Sequence, residues 1–295
     1  MNVTMNQVAE TTCGKSTFRW GAKTYVMGVV NVTPDSFSGD GTLDPAAAVA
    51  RGVEMAANGA DILDVGGEST RPGALPVDPR EELRRVVPVI AGLAARVSVP
   101  ISIDTSHAAV AEAALDAGAV IVNDVWGFRR DPDLAPIVAR RGTCAVAMHN
   151  RSAEARHLEQ LGGYFPEVDY DDVIASILKG LRSSIAILTE AGVPRERMIV
   201  DPGIGFGKTP AHNLEILARL QELRALGQPI LIGPSRKSFI GITLGLPPDQ
   251  RVEGTAAAVA LGIRAGADIV RVHDLPAMAR VARMADAIVR RPSSA

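Results

Sequence analysis

Short apolar runs alternate with amphipathic segments along most of this chain. Eight runs of mainly Val, Ile, Leu and Ala recur at intervals of roughly twenty to fifty residues, and each ends in polar side chains. The runs end at Asn31, Asp64, Asp104, Asn123, Met148 with His149, Asp201, Ser235 to Ser238, and Arg271 to Asp274. Short apolar runs that alternate with helical segments are typical of parallel strands in right-handed βαβ units. The pattern predicts an α/β protein with a single (β/α)₈ TIM barrel, which needs about 250 residues.

Helix boundaries carry clear signals. Residue pairs that would cap a helix and start it with proline are Asp44-Pro45, Asp78-Pro79, Asp131-Pro132 and Thr209-Pro210. Glycines predicted to end helices are Gly59, Gly118, Gly142, Gly192 and Gly266. We predict a flexible segment over 1–17 and a barrel domain over 18–291. The barrel domain would open with a hairpin over 18–25 that turns at Gly21. The irregular stretch 150–169 is a candidate lid or a loop that has lost its structure.

Composition narrows the class of protein. The net charge of −2 gives no basic surface for nucleic acid or membrane, and no run approaches the length of a membrane span. Cys13 and Cys144 do not make a disulfide framework, and Cys144 is most simply a small buried residue. Without a secretory signal, the chain is expected in the cytoplasm.

Acidic and amide side chains follow several predicted strands. Asp64, Asp104 and Asp201 each close an apolar run, and Asn123 closes another. One such acid is usually a helix cap, but four groups that meet at one end of a barrel indicate a binding site. Oxygen acceptors on the floor of a dry pocket suit a flat heterocycle with N–H donors, such as a pterin or a guanine-like ring.

Cationic side chains have a different distribution. Arg71 follows the second predicted strand, Arg236 and Lys237 follow the seventh, and Arg271 with His273 follow the eighth. Barrels commonly bind phosphate in the loops after strands seven and eight. These residues therefore predict an anionic group on the ligand.

A glycine-rich run and several histidines do not indicate a nucleotide-binding loop or a zinc site. The run from Gly203 to Thr209 is not a Walker loop, because that loop needs glycine where Pro202 stands. We interpret its glycines as positions where backbone and Phe206 approach a ligand closely. His107, His157 and His212 are interpreted as surface residues, and no His/Cys group has the spacing of a structural zinc site.

Seven motifs, taken together and in order, resemble the dihydropteroate synthase family. They are N-V-T-P-D-S-F-S, D-V-G-G-E-S-T-R-P-G, S-I-D-T, N-D-V, D-P-G-I-G-F-G-K, S-R-K-S and R-V-H-D, within Met27 to Arg290. The resemblance implies a (β/α)₈ barrel of folate biosynthesis. Such an enzyme joins 6-hydroxymethyl-7,8-dihydropterin pyrophosphate to 4-aminobenzoate and releases pyrophosphate with the help of Mg²⁺. It also implies a homodimer formed through late barrel helices.

The resemblance also implies roles for individual residues. The pterin would be held by Asp104, Asn123, Asp201 and Lys237, with Met148 and Gly233 lining its slot. The pyrophosphate would be held by Asn31, Thr70, Arg71, Arg271 and His273, with Asn31 giving an oxygen to Mg²⁺. The aminobenzoate would be framed by Phe37, Pro72, Phe206 and Ser238. Asp35 would help to order metal and pyrophosphate, and the catalytic set would be Asp35, Arg71, Lys237 and Arg271.

The chain departs from the family pattern in two loops. Residues 36–41 read S-F-S-G-D-G where the family usually has S-F-S-D-G-G, and 150–158 read N-R-S-A-E-A-R-H-L without the common glycine-proline-methionine-glutamine pattern. The alternative is therefore a pterin-binding paralogue that is non-catalytic or uses another substrate. A methyltetrahydrofolate methyltransferase is a weaker rival, because it does not need the cations Arg71, Arg271 and His273.

Overall fold

Eight parallel strands form a barrel in the computed structural model, which describes residues 7–33, 41–68, 77–154, 156–160 and 163–290. The barrel strands are β3 (Tyr25–Asn31), β4 (Ile62–Gly66), β5 (Ile101–Asp104), β6 (Ile121–Asp124), β7 (Cys144–Met148), β10 (Met198–Asp201), β11 (Leu231–Ile232) and β12 (Ile269–Val272). Their spatial order is β10-β7-β6-β5-β4-β3-β12-β11, and a parallel bridge between Val200 and Ile230 joins the two ends. The predicted (β/α)₈ barrel is confirmed.

Helices surround the barrel. They are α1 (Pro45–Ala57), α2 (Pro79–Ala94), α3 (Ala108–Asp116), α4 (Leu134–Arg141), α5 (Val173–Glu190), α6 (Pro210–Ala218), α7 (Ser238–Leu244), α8 (Val252–Arg264) and α9 (Leu275–Val289). None of the helices in the described ranges has both the length and the apolar character needed to cross a membrane.

Three of the four predicted helix starts are confirmed. The side chains of Asp44, Asp78 and Thr209 cap α1, α2 and α6, and each cap is followed by proline. Asp131 does not cap α4, which begins at Leu134. Its carboxylate instead accepts the backbone N–H of Ala108, at 2.8 Å, and so supports the start of the neighbouring helix α3.

The N-terminal hairpin exists, but earlier in the chain than predicted. It pairs β1 (Glu10–Cys13) with β2 (Ser16–Arg19), and its turn contains Gly14 rather than Gly21. Gly14 and Gly21 both have positive φ, of 60° and 86°, but only Gly14 turns the chain back on itself. The prediction over 18–25 was wrong because the chain after Gly21 enters the barrel strand β3, which pairs with β12. The hairpin thus spans the boundary predicted between 1–17 and 18–291.

Cys13 and Cys144 form a disulfide, which corrects the interpretation of Cys144 as a simple buried thiol. Cys144 opens β7 at the N-terminal end of the barrel, and the hairpin carries Cys13 to the same place. Their Cα atoms are 5.7 Å apart although 131 residues separate them in sequence. Such a pairing depends on the closed barrel, so the spacing of two cysteines did not reveal it.

Two apolar layers hold the molecule together. The larger layer packs the outer faces of the strands against the helices and includes Val65, Val86 and Ile90. The smaller layer fills the bottom of the barrel and includes Phe18, Met27 and Ile199, together with both cysteines. Buried faces on both sides explain why the strands are continuously apolar.

The stretch 150–169 contains secondary structure, so the prediction of an irregular segment was wrong. A 3-10 turn over Ser152–Glu154 is followed by β8 (Arg156–Gln160) and β9 (Gly163–Glu167), which pair in antiparallel fashion. A two-stranded hairpin of five-residue strands is a small element and gives a weak sequence signal. Its role as a lid stays a prediction.

Candidate functional site

Four polar side chains meet at the C-terminal mouth of the barrel. In the strand register, Gly66 of β4 lies opposite Asp104 of β5, and Asp104 lies opposite Asn123 of β6. Asp64 lies two residues before Gly66 on β4 and is completely buried, and Arg271 reaches the same place from β12. The barrel therefore brings together groups that are up to 207 residues apart in sequence.

Arg271 joins the acids of this cluster. Its Nε donates to Asp64 Oδ2 at 2.7 Å, and its Nη2 donates to Asp104 Oδ2 at 2.8 Å. Asn123 Nδ2 also donates to Asp64 Oδ2, at 3.0 Å, whereas Asp64 Oδ1 has no hydrogen-bond partner within the described ranges. The two bonds from Arg271 to described residues use two of the five N–H groups of a guanidinium, so the other three are not used by this part of the chain.

Burial shifts the protonation of this cluster. It raises the pKa of the Asp104 carboxyl, a shift that Arg271 opposes and that the neighbouring charge of Asp64 increases. Burial acts in the opposite direction on Arg271, but the carboxylates of Asp64 and Asp104 outweigh it and raise the pKa of the guanidinium. The arginine therefore stays charged between the two buried carboxyls.

Asp201 and Lys237 form a second part of the mouth. Asp201 closes β10, and its Oδ1 accepts the N–H of Gly203 at 2.6 Å. Lys237 Nζ lies 4.5 Å from the ring centroid of Phe206 and donates to the carbonyl oxygen of Ile204. Burial lowers the pKa of Lys237 to about 8, although Asp201 opposes that shift. Burial raises the pKa of Asp201, and Lys237 opposes it.

The other predicted lining residues occupy the same end of the barrel. Met148 closes β7 opposite Asp201 and is buried. Gly233 follows β11, and a Cβ atom added there would contact the Cβ of Arg271 at 3.7 Å. Ser238 is the first residue of α7, directly after Lys237. The described residues of the predicted pterin slot thus lie at the same end of the barrel as Phe206 and Ser238, the two described residues of the predicted aminobenzoate frame.

The predicted anion ligands differ in their surroundings. Asn31 closes β3 at the mouth. His273 Nδ1 lies 3.0 Å from Ser235 Oγ, which also accepts the backbone N–H of His273. Arg236 forms an ion pair with Asp274, so the cation predicted after β11 is engaged within the protein.

The sequence predicts that the glycines after β10 allow the backbone to approach a ligand closely. In the structure, Gly203 allows close approach to another loop of the chain. Gly203 has φ of 70°, and a Cβ atom there would lie 2.0 Å from the carbonyl oxygen of His149. The close approach is thus between two loops of the chain. It lets the segment after β10 fold over the end of β7.

Sequence reasoning gave no role to Lys208, which is almost completely buried behind this site. Its Nζ donates to the carbonyl oxygens of Phe206, at 2.9 Å, and His149, at 3.1 Å. Burial keeps the pKa of Lys208 well below its ordinary value. Burial, with Lys208 nearby, lowers the pKa of His149 to about 2, so its imidazole is neutral. Lys208 fixes the loop that carries Phe206; the only signal was a lysine inside a glycine-rich run.

Two further points concern the predicted set. Asp64 was noted among the acids but was not among the residues carried over from the family, and the structure places it at the centre of the cluster. Five predicted residues lie outside the described residues, namely Asp35, Phe37, Thr70, Arg71 and Pro72. They belong to the segments that follow Thr33 and Glu68.

Comparison with known proteins gives a consistent result. The family profile described as pterin binding enzyme matches residues 27–273. The dihydropteroate synthase of Bacillus subtilis is 46% identical over 94% of this chain and 92% of its own length. That of Mycobacterium leprae is 48% identical over 87% of this chain and 90% of its own length.

Solved structures agree in fold as well as sequence. A dihydropteroate synthase from Clostridium difficile, in the presence of pteroic acid, has a TM-score of 0.84 and 47% identity over 93% of this chain and 100% of its own. A Xanthomonas albilineans dihydropteroate synthase with 4-aminobenzoic acid has a TM-score of 0.86 and 40% identity, and covers 97% of this chain and 100% of its own. Both likenesses extend over nearly the whole barrel.

Proposed function

This chain belongs to the dihydropteroate synthase family of pterin-binding enzymes, and from that membership we propose how its residues divide the work of the reaction. The enzyme condenses 6-hydroxymethyl-7,8-dihydropterin pyrophosphate with 4-aminobenzoate. The products are 7,8-dihydropteroate and pyrophosphate. The observation that carries the proposal is the cluster in which Arg271 joins Asp64 and Asp104 beside Asn123.

The pterin is recognised through its N–H groups. Asp104, Asn123 and Asp201 offer oxygen acceptors on three different strands, and the buried floor keeps water from competing with them. Lys237 supplies a donor for the acceptor edge of the ring, while Met148 and Gly233 border its faces. The orphan Oδ1 of Asp64 supports the presence of a donor-rich ligand, because a buried carboxylate oxygen without a partner is costly.

The pyrophosphate lies towards Arg271 and His273. The three remaining N–H groups of Arg271 are the donors available to it, and Thr70 and Arg71 join from the adjoining segment. Asn31 presents an amide oxygen, which is a ligand type that Mg²⁺ accepts, and Mg²⁺ commonly binds through one or two protein oxygens together with substrate phosphates. When bound, the ion would neutralise charge on the leaving group, with Asp35 helping to order it.

The chemical step needs no nucleophilic side chain. Bond cleavage between the pterin methylene and its pyrophosphate oxygen sends the electron pair to the leaving group, whose charge Arg271 stabilises. The electron-rich dihydropterin carries the positive charge that remains, and the oxygens of Asp104 and Asp201 stabilise it by accepting hydrogen bonds from the ring N–H groups. The amine of 4-aminobenzoate then bonds to the methylene carbon and releases one proton to solvent water.

The aminobenzoate packs against Phe206, whose position Lys208 fixes through its backbone carbonyl. Ser238 begins α7, and Phe37 and Pro72 complete the frame from the two adjoining segments. Lys237, over the ring of Phe206, separates this pocket from the pterin floor.

The proposal is tested by measuring pyrophosphate release with Mg²⁺ and the dihydropterin pyrophosphate, with and without 4-aminobenzoate. We expect release that depends on aminobenzoate and yields 7,8-dihydropteroate in equal amount. Tight pterin binding without product would contradict the proposal and would favour the non-catalytic paralogue.

We propose that the enzyme is a homodimer formed through its last four helices. Six of the seven large hydrophobic side chains that are exposed among the described residues lie on α6 to α9. They are Leu214, Leu244, Leu261, Met284, Ile288 and Val289. A cluster of this kind is typical of a protein interface. Leu261→Glu should shift the mass in sedimentation from dimer to monomer, whereas Leu43→Glu, at an exposed leucine elsewhere, should not.

We also propose that the enzyme acts in the cytoplasm. The cytoplasm usually keeps thiols reduced. The disulfide between Cys13 and Cys144 is therefore unusual for a protein of that compartment. Alkylation of the protein in intact cells, followed by mass spectrometry, should find the disulfide if the pair resists reduction there. Two alkylated thiols in native protein would show that the barrel closes without the bond in the cell.

A further inference from the structure

Three potential metal ligands lie together on the outer side of the barrel mouth. They are Glu68 after β4, Glu82 on α2, and His107 at the start of α3. One ligand atom from each lies within 4.8 Å of the other two, and no other group of three such residues occurs in the part of the chain that the structure describes. The sequence predicts that His107 is a surface residue, but its imidazole is hydrogen-bonded to the buried carboxyl of Glu82.

Glu82 supplies an independent observation. Its side chain is fully buried, and among the described residues Oε1 has no partner in hydrogen-bonding geometry, while Oε2 lies 2.9 Å from His107 Nδ1. Burial raises the pKa of this carboxyl, and His107 and the hydroxyl of Thr105 oppose the rise. A buried carboxylate with an oxygen that lacks a hydrogen-bond partner lowers the stability of the fold, unless a cation or a proton is bound to that oxygen.

We propose that Glu68, Glu82 and His107 form a site for a divalent transition metal ion of the Zn²⁺ or Mn²⁺ class. One imidazole and two carboxylates suit these ions, since imidazole favours zinc and carboxylate favours manganese. Zinc bonds to nitrogen and oxygen are about 2.0–2.2 Å long and usually tetrahedral, so neighbouring ligand atoms are about 3.3–3.6 Å apart. Glu82 Oε2 and His107 Nδ1 are 2.9 Å apart as a hydrogen-bonded pair, so replacing the shared proton by the ion requires them to separate only slightly.

The position of the site gives it a purpose. Glu68 Oε1 accepts the backbone N–H of Val77 at 3.3 Å, and these two residues flank the segment 69–76 in sequence. An ion held by Glu68 would connect the end of β4 to α2 and to the start of α3. It would therefore hold both ends of the segment that carries Arg71. The effect on the segment that carries Arg71 matters only if the proposed function is right. Binding of the ion itself does not depend on the proposed function.

The experiment is equilibrium dialysis of the EDTA-treated full chain against Zn²⁺ and, separately, Mn²⁺, with bound metal measured by mass spectrometry. Excess Mg²⁺ is present and pyrophosphate is left out, so that the expected catalytic ion does not contribute. We expect one equivalent of Zn²⁺ or Mn²⁺ per chain, together with a higher melting temperature in the presence of the ion.

Glu82→Gln and His107→Gln should each weaken binding by at least about 10- to 100-fold, which is what the loss of even an outer-shell partner costs a metal site. Glu81→Gln is the matched control, because Glu81 precedes Glu82 on α2 but pairs with Arg84 and Arg85. His107 is partly exposed, so His107→Gln serves if Glu82→Gln does not fold.

Three results would overturn the proposal. The first is binding of neither ion above the level of the Glu82→Gln variant. The second is equal binding by wild type and both variants. The third is binding that appears only after reduction of the disulfide and is lost when Cys13 and Cys144 are replaced, because the freed thiols would then be the ligands. Since no assay of synthase activity enters, failure here leaves the proposed reaction untouched.

Discussion

The bottom of the barrel is lined by apolar and aromatic side chains, whereas its mouth is lined by buried polar and charged ones. At the bottom, Phe18, Trp20 and Tyr25 pack with ring centroids 4.9 to 5.5 Å apart, beside the disulfide. Two of the ring polar atoms there are paired, since Tyr25 Oη accepts the N–H of Arg19 and Trp20 Nε1 donates to Thr11. The mouth instead contains buried carboxyls with raised pKa and an unpartnered oxygen on Asp64.

This difference separates stability from function. A close-packed, apolar bottom holds the strands in register without any ligand. A mouth with unmet polar groups costs stability but is ready to bind a ligand that satisfies them. Substitutions at the mouth should therefore change activity first, and those at the bottom should change stability first. Four predictions test that contrast, from the largest expected effect on activity to the smallest.

Arg271→Met should have the largest effect. It removes donors to the leaving group and leaves Asp64 and Asp104 without their shared cation. We expect turnover to fall about 1,000-fold and the free energy of unfolding to fall by about 3–5 kcal/mol. Turnover is measured on the folded fraction, and Arg280→Met, an exposed arginine on α9, is the control. Turnover within tenfold of wild type would break the comparison.

Asp104→Asn should reduce pterin affinity by about 100-fold, since one or two hydrogen bonds to the ring are lost at about 1–3 kcal/mol each. The stability should stay within about 1 kcal/mol, because the amide keeps the shape and avoids a buried charge. Calorimetric titration with the pterin alcohol measures the affinity. Asp116→Asn, at an acid that is 64% exposed, should leave it unchanged. Unchanged affinity in Asp104→Asn would remove this residue from the floor.

Raising the pH should produce a moderate loss through Lys237, whose pKa burial lowers to about 8. The ratio kcat/KM reports the free enzyme, so it should fall about tenfold between pH 7 and pH 9 as the ammonium deprotonates. In Lys237→Arg this limb should disappear, because a guanidinium stays charged. A profile with the same limb in both proteins would assign it to another group.

The sign for stability is opposite. The folded-state pKa of Lys237 lies below the unfolded value of 10.5, so burial of this lysine destabilises the fold most at pH below about 8. That penalty fades as the pH rises from about 8 towards 10.5. Between about pH 8 and pH 10.5 the contribution of Lys237 to the free energy of unfolding should therefore increase while activity decreases. This opposition shows that the buried charge of Lys237 serves activity at the expense of stability.

The sequence made the mouth easier to predict than the bottom. Asp104, Asn123 and Asp201 follow apolar runs, and strand ends in a barrel necessarily converge, so their meeting could be foreseen. The role of Asp64 as a shared acceptor could not, because hydrogen-bond choice among several donors depends on side-chain geometry. The hairpin and the disulfide at the bottom depend on packing between distant segments, which leaves no periodic signal.

Replacing both cysteines by alanine should have the smallest effect on activity. The bond ties the hairpin to β7 across 131 residues of chain, and loss of such a link costs about 2–5 kcal/mol. For a chain of this size we expect the melting temperature to fall by about 5–10 °C. At a temperature where both proteins are folded, kcat and KM should match those of wild type, since the bond lies at the end of the barrel remote from the mouth.

Reduction of the wild-type protein provides the matched control. A reductant should lower the melting temperature of wild type towards that of the double variant, and it should leave the double variant unchanged. If the variant instead kept its melting temperature but lost activity, the bottom of the barrel would be coupled to the mouth. The division of labour between the two ends would then be wrong. Equal loss of both would point to a barrel that responds as one unit, in which β7 transmits disorder from Cys144 to Met148 along its own length.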